Sequence, residues 1–177
     1  PASEFDELLG ADAEKYADGH LLRVRIELTN TSDERISSFR FRLYGPCAIP
    51  STSARWVGRD IEFAYGTYYP NRKGVGTEIF ALDGIPTLSD KKDVAWLATV
   101  NSYFTALMFP ATELKSIKGI YADLIPYPSS KEEFQDVKSL RTGFRCQRKL
   151  PSKRKQTMEF GLYLGPRFSD FIKAGGR

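Results

Sequence analysis

Histidine is almost missing. His20 is the single histidine among 177 residues, so any chemistry that needs an imidazole base must use that side chain or do without one. It stands at the start of a predicted strand, and catalysis by it is not expected. Cysteine is scarce as well. Cys47 and Cys146 are too distant in sequence for a metal knuckle, and no histidine cluster is there to join them. Two alternatives stay open for them: a bridge in an oxidising compartment, worth ~4 kcal/mol in the loop-entropy picture, or two free buried thiols. Gly74-Val75-Gly76 lacks the third glycine and the following helix of a phosphate-binding loop, and reads as a turn into a strand. The acid pairs Asp33/Glu34 and Glu132/Glu133 lie in predicted loops with nothing nearby to raise a carboxyl pKa. No catalytic, cofactor-binding or metal-binding residue is therefore expected. Internal repeats, low-complexity segments and βαβ alternation are also lacking. The chain opens on Pro1 and shows neither a basic, apolar leader nor a second long apolar run, which predicts a mature secreted domain or a portion of a longer chain.

What is present is an ordinary globular composition, 41% hydrophobic and 27% charged, enough for one sizeable core and one domain. The net charge of +4 is modest, but it is unevenly spread. Glu4, Asp6, Glu7, Asp12, Glu14 and Asp18 make residues 1–19 an acidic segment, with a weak helical signal from Ser3 to Leu9. Arg141, Arg145, Arg148, Lys149, Lys153, Arg154 and Lys155 form a basic run without an acid. Such a run reads as a solvated hairpin loop, or as a patch for a membrane surface or nucleic acid. Aromatic and basic residues are separated in sequence, so nucleic acid is not an expected partner.

The organising stretch is Val94 to Thr112, which carries no charge. It approaches the length of a membrane-spanning helix, but Thr99, Asn101, Ser102 and Thr105 interrupt it, Pro110 breaks its end, and β-formers dominate. The reading is one long central strand, bulged or broken near Asn101 and Ser102. Both alternating sets, Trp96/Ala98/Val100/Phe104/Met108 and Leu97/Tyr103/Leu107/Phe109, need burial.

From His20 the hydrophobic period is two. Leu22, Val24, Ile26 and Leu28 alternate with Arg23, Arg25, Glu27 and Thr29, and Phe39, Phe41 and Leu43 with Arg40, Arg42 and Tyr44. With the turn formers Asn30 to Glu34 between them, these predict an antiparallel hairpin, and the turn also accounts for the formal glycosylation sequon Asn30-Thr31-Ser32. Gly45 to Pro50 should end the second strand, because proline does not continue a central ladder. Further strands are expected at Ile61 to Tyr65, Gly76 to Leu82, Lys118 to Leu124, Thr142 to Arg148 and Thr157 to Leu164. Lys131 to Leu140 reads as one or two helical turns or a polar excursion. Gly165-Pro166 stops the last strand, and Phe168, Phe171 and Ile172 suggest a short C-terminal helix. The sum is a mainly β chain, an antiparallel β-sandwich over residues 20–177. Trp56, Tyr65, Tyr68 and Tyr69 surround a loop, and aromatic faces suit sugar rings, so a carbohydrate-binding or mutarotase-like sandwich is a second reading; core packing is the ordinary role of such residues.

Three segments carry a family resemblance. Trp96-Leu97-Ala98-Thr99-Val100-Asn101-Ser102-Tyr103-Phe104, continued by Thr105 to Pro110, resembles the tryptophan to tyrosine-phenylalanine to proline segment in the periplasmic domain of YidC, the bacterial inner-membrane protein insertase. Leu22 to Asp33 and Leu162-Tyr163-Leu164-Gly165-Pro166-Arg167 are similar to further segments of that domain, in the same order. The resemblance implies a β-supersandwich, similar in shape to galactose-mutarotase-like domains, facing the periplasm from the inner membrane. Insertion chemistry in that family belongs to the membrane part, so no catalytic residue and no cofactor carries over. Trp96, Tyr103, Phe104 and Pro110 carry over as core or strand-end positions, and Gly165 and Pro166 as the stop before a helix. The implied partners are Sec translocon components and nascent membrane proteins. Arg148, Lys149, Lys153, Arg154 and Lys155 are the candidate contacts for an anionic lipid surface or a partner. The chain is shorter than the usual domain of that family, and Arg55 to Ser89 matches it only loosely.

Overall fold

The computed structural model describes residues 20–48, 62–68, 75–81, 93–101, 103–111, 116–126 and 138–166. Among them lie nine strands and no α-helix: β1 (His20–Thr29), β2 (Ile36–Ala48), β3 (Glu62–Tyr68), β4 (Val75–Ala81), β5 (Val94–Val100), β6 (Phe104–Pro110), β7 (Ile117–Pro126), β8 (Lys138–Leu150) and β9 (Lys155–Pro166). They form a six-stranded sheet in the order β1-β9-β6-β5-β3-β4 and a three-stranded sheet in the order β2-β8-β7. Every pairing is antiparallel. The mainly β, antiparallel sandwich expected from the period-two pattern is the observed fold. The helices expected at Ser3 to Leu9 and after Pro166 lie outside the described residues.

The expected hairpin of β1 with β2 does not form. β1 pairs with β9, from His20 opposite Leu164 to Thr29 opposite Lys155, whereas β2 pairs with β8 in the other sheet. Residues 30–35 cross between sheets, and so do residues 151–154. Asn30 ties the two crossings together. Its side chain is 3% exposed, with Nδ2 donating to the carbonyls of Glu34 (2.8 Å) and Leu150 (3.1 Å). Its Oδ1 accepts from the Ser32 amide (3.1 Å) and hydroxyl (2.8 Å). The backbone joins in, with Asn30 N–H donating to the Arg154 carbonyl and Lys153 N–H to that of Ser32. A turn-forming residue was legible here, but its partner across 120 positions was not. The same bonds occupy the amide that a glycan would need, so the sequon is structural.

The uncharged stretch is broken at Asn101, as one of the two alternatives had it, and the break makes two strands. β5 and β6 form a hairpin, from Leu97 opposite Met108 to Val100 opposite Thr105. Asn101 makes the reversal: its Oδ1 accepts from the amides of Tyr103 (2.9 Å) and Phe104 (2.7 Å), and its own N–H donates to the Phe104 carbonyl. A side chain that substitutes for backbone acceptors ends a strand whatever the hydrophobic run around it. The alternating sets change accordingly. Trp96, Ala98 and Val100 share a cluster with Leu107 and Phe109, while Leu97 and Met108 belong to the other cluster. A register shift opposite Gly66 and Thr67 puts Val94 on the same side as Leu97. β5 is buried along its whole length, as a central strand covered on both faces must be.

Between the sheets, Phe63, Tyr65, Leu97, Met108, Met158 and Phe160 meet Ile117, Ile120, Leu140, Phe144 and Cys146. Phe144 and Phe160 stack across the interface with ring centroids 5.8 Å apart. Three glycines have aromatic residues directly across the ladder: Gly66 has Trp96, Gly161 has Phe109, and Gly143 has Tyr121 on one side and Tyr44 on the other. The contact is close enough to require glycine. A Cβ on Gly66 would come within 2.4 Å of the Trp96 ring, and one on Gly143 within 2.1 Å of the Leu43 carbonyl oxygen and 2.2 Å of the Tyr121 hydroxyl. Each ring thus covers a stretch of backbone that has no side chain of its own.

Two strand ends differ from expectation. β2 runs on through Gly45 and Pro46 to Ala48, with a register shift between Tyr44 and Cys47. Proline is tolerated there because β2 is an edge strand and is irregular at that point. β8 begins at Lys138, so positions 138–140 are strand rather than helix or excursion.

Candidate functional site

The family-like positions are distributed as follows. Trp96 is fully buried beneath the six-stranded sheet's second cluster. Pro110 closes β6, and Gly165 and Pro166 close β9. Tyr103 and Phe104 are not core residues: at the tip of the β5–β6 turn they are 68% and 62% exposed. The turn at Asn101 lifts them out of the buried alternation. Phe104 lies opposite Pro166, so this aromatic tip and the end of β9 are neighbours.

The basic run is not a loop. Arg141, Arg145, Arg148 and Lys149 belong to β8, Lys153 and Arg154 to a tight turn, and Lys155 to β9. Strand alternation then splits the charges. Arg148 is half-buried on the side of Phe144 and Cys146, while Lys149 is exposed. Lys153, in the left-handed region at φ 51°, donates Nζ to the Thr31 carbonyl at 2.7 Å and pairs with Asp33 at 3.3 Å. Lys155 pairs with Glu27. Arg154 is exposed, and its carbonyl belongs to the Asn30 corner. Lys153 and Lys155 are therefore matched by acids among the described residues.

A different set of cations shares one surface. Outward positions on the three-stranded sheet fall into rows: Arg40 opposite Gln147, Arg42 opposite Arg145 and then Gly119, Tyr44 opposite Gly143 and then Tyr121, Cys47 opposite Arg141 and then Asp123. In the last row Arg141 and Asp123 form an ion pair at 3.3 Å, and the Arg141 guanidinium sits 4.4 Å from the Tyr44 ring centre. The first two rows contain no acid. Arg40, Phe41, Arg42, Lys118, Arg145, Cys146 and Gln147 line a cleft there of about 390 Å³. Lys118 enters it through the β-bulge between Ile117 and Gly119, which adds one residue to β7 opposite β8. Arg42 is held with its guanidinium 5.6 Å from the Tyr121 ring centre. The Arg145 Nε is shielded from solvent without a hydrogen-bond acceptor. The alternation of Phe39, Phe41 and Leu43 with Arg40 and Arg42 sets the two arginines on one face of a predicted hairpin. What it lacked was the register that sets Arg42 against Arg145.

The remaining candidates resolve simply. His20 is exposed at the start of β1, and no group of three or more His, Cys, Asp or Glu among the described residues is placed to hold a metal ion. Cys47 and Cys146 are free thiols. Cys47 faces position 141 of β8, about 17 Å along the strand from Cys146 at the usual rise per residue, far beyond a bridging distance. Burial pushes the Cys146 thiol up to about 11, against a smaller opposing effect of Arg148. Burial likewise raises Tyr121, reinforced by Tyr44; its hydroxyl donates to the Leu43 carbonyl at 3.1 Å. Of the loop aromatics, Tyr65 is fully buried and packs on Phe63 and Phe80, which makes it core; Trp56 and Tyr69 and the side chain of Tyr68 lie outside the described residues. No helix among the described residues is long and apolar enough to cross a membrane. When the chain is compared with known proteins, no family model and no curated protein matches it.

Proposed function

We propose that this chain is a non-catalytic, periplasm-facing domain of a YidC-like insertase of the bacterial inner membrane, serving as spacer and docking surface while nascent membrane proteins are inserted, folded and handed on from the Sec translocon. One observation carries the reading. The three segments that resemble the family, separated by most of the chain, lie on β1, β5–β6 and β9, and these are consecutive neighbours in the sheet order β1-β9-β6-β5. A chance likeness in three scattered places has no reason to converge on one four-stranded block. The buried Trp96, the Pro110 strand end and the Gly165-Pro166 strand end agree with the roles the resemblance gives them. A domain of this kind works by presenting rigid surface, and a strand buried on both faces supplies that rigidity.

The test is the reading frame that encodes this segment. A membrane helix shortly before position 1 and several after position 177 are expected. A frame without membrane helices on both sides would end the proposal. Deleting residues 20–166 from the full-length protein should leave insertion of a simple reporter measurable while weakening co-purification with translocon components.

A further inference from the structure

Among the described residues, the cleft on the outer face of the three-stranded sheet gathers cations with no acid in its lining. Arg40, Arg42, Lys118 and Arg145 come from three strands, and the other polar groups among the described lining residues are the Cys146 thiol and Gln147, whose Nε2 is engaged with the Ser38 hydroxyl at 2.9 Å. Among the described residues none of the four makes an ion pair. Setting Arg42 directly across from Arg145 is unfavourable by itself, because like charges opposite one another in a ladder repel. The fold nevertheless adds a third cation to that row through the bulge at Lys118, and it fixes Arg42 against Tyr121. The shielded Arg145 Nε still lacks an acceptor. A multiply charged anion with several acceptor oxygens answers all of these features together.

We infer that this cleft is a binding site for a phosphate-bearing ligand, a phosphate ester or pyrophosphate group held by Arg42 and Arg145 with Lys118 and Arg40 at its rim. Guanidinium forks match phosphate oxygens in pairs. A single carboxylate would leave most of the charge unmatched. The volume of about 390 Å³ suits a headgroup-sized ligand. Phe41, the aromatic residue of the lining, packs against the core cluster and lies 5.6 Å from Phe39, so among the described lining residues no aromatic face is offered to stack a nucleobase. The inference does not depend on the insertase reading and stands or falls separately from it.

The probes are inorganic pyrophosphate, followed by calorimetry, and vesicles of phosphatidylglycerol in phosphatidylcholine, followed by co-sedimentation. Saturable pyrophosphate binding is expected. It should weaken at least tenfold in the Arg42→Gln/Arg145→Gln double variant and severalfold in Lys118→Gln, which alters one exposed side chain and serves if the double variant fails to fold. The control is Lys153→Gln/Arg154→Gln, which removes the same charge from the β8–β9 turn and should bind as the parent does. Equal weakening by control and cleft variants would reduce the effect to bulk charge and overturn the site, as would absence of binding to both probes. If phosphatidylglycerol vesicles bind with the same residue dependence and pyrophosphate displaces them, the ligand is a lipid headgroup. Pyrophosphate binding without vesicle binding identifies a soluble phosphate compound.

Discussion

The outer edge of the six-stranded sheet and the outer face of the three-stranded sheet are written in nearly the same letters and behave oppositely. On β1 and β9, Arg23, Arg25 and Lys155 interleave with Glu27 and Glu159: Arg23 pairs with Glu159, Arg25 with Glu27 at 3.1 Å and with Glu159 at 3.9 Å, and Lys155 with Glu27. On β2 and β8, Arg40, Arg42 and Arg145 occupy equivalent outward positions with glutamine and arginine opposite them. The first surface is closed on itself, and the second is left with charge to share. Arginine count alone does not distinguish them; cross-strand register does.

The largest expected effects test the frame on which both surfaces are mounted. Trp96→Ala, in the strand buried on both faces, should cost about 3–5 kcal/mol in denaturant unfolding; a loss as small as that of a surface change would contradict the burial of β5 on its second face. Asn30→Ala strips the buried Leu150 carbonyl and the part-buried Glu34 carbonyl of their donor at the corner joining the sheets, and should cost about 2–4 kcal/mol by the same measurement. Both surfaces should suffer together.

Smaller changes sharpen the contrast itself. Glu159→Gln should lose about 0.5–1 kcal/mol, less at high salt, because Arg23 loses its acid and Arg25 keeps only Glu27 among the described residues. Arg42→Gln should have the opposite sign, a gain of a few tenths, about 0.3 kcal/mol, by relieving repulsion across the ladder. Equal signs in a thermal unfolding series would erase the distinction drawn between the surfaces.

The pH dependence should divide in the same way. Glu27 has its pKa lowered, chiefly by the hydrogen bond from Lys155, with added attraction from Lys155 and Arg25. A depressed carboxylate contributes stability above its unfolded pKa and loses that contribution as pH falls through the folded value. The six-stranded sheet's edge is therefore acid-sensitive. Cys146 is displaced the other way, from 9.0 to about 11, so its contribution is complete below about pH 9 and is lost as pH rises toward 11. The three-stranded sheet is alkali-sensitive, and Tyr121 adds to this. Cys146→Ala should flatten part of the fall in Tm between pH 8 and 11, whereas Glu27→Gln should flatten part of the acid limb. Thiol labelling at pH 8 gives the smallest and simplest contrast: the exposed Cys47 should react within minutes, and Cys146 only on unfolding.

How far the sequence foretold this follows from the range of the interactions. Alternation fixed β1, β2 and the paired strands near the C-terminus, because burial on one face acts residue by residue. It could not say which strand lies beside which. The segments flanking Asn30 look like any hairpin, and only Leu150 and Arg154, far along the chain, reveal that the residue joins two sheets. The hairpin at Asn101 was hidden by the apolar run around it, though Asn101-Ser102 marked the place. Of the surface residues, the basic run was visible as composition, yet strand alternation and local acids dispersed it. The cleft was invisible because its members, at 40, 42, 118 and 145, meet only through pairing.

The corner at Asn30 has a consequence for how the molecule is made. Among the described strands, β1 and β2 find their ladders only in β9 and β8, so the first two of these strands to be synthesised wait for the last two. Such high contact order predicts folding in the millisecond-to-second range or slower, with no stable half-product. Closure of the sandwich is then a signal of completeness: until the chain has been delivered through position 166, two strand edges stay open for any holding factor to grip.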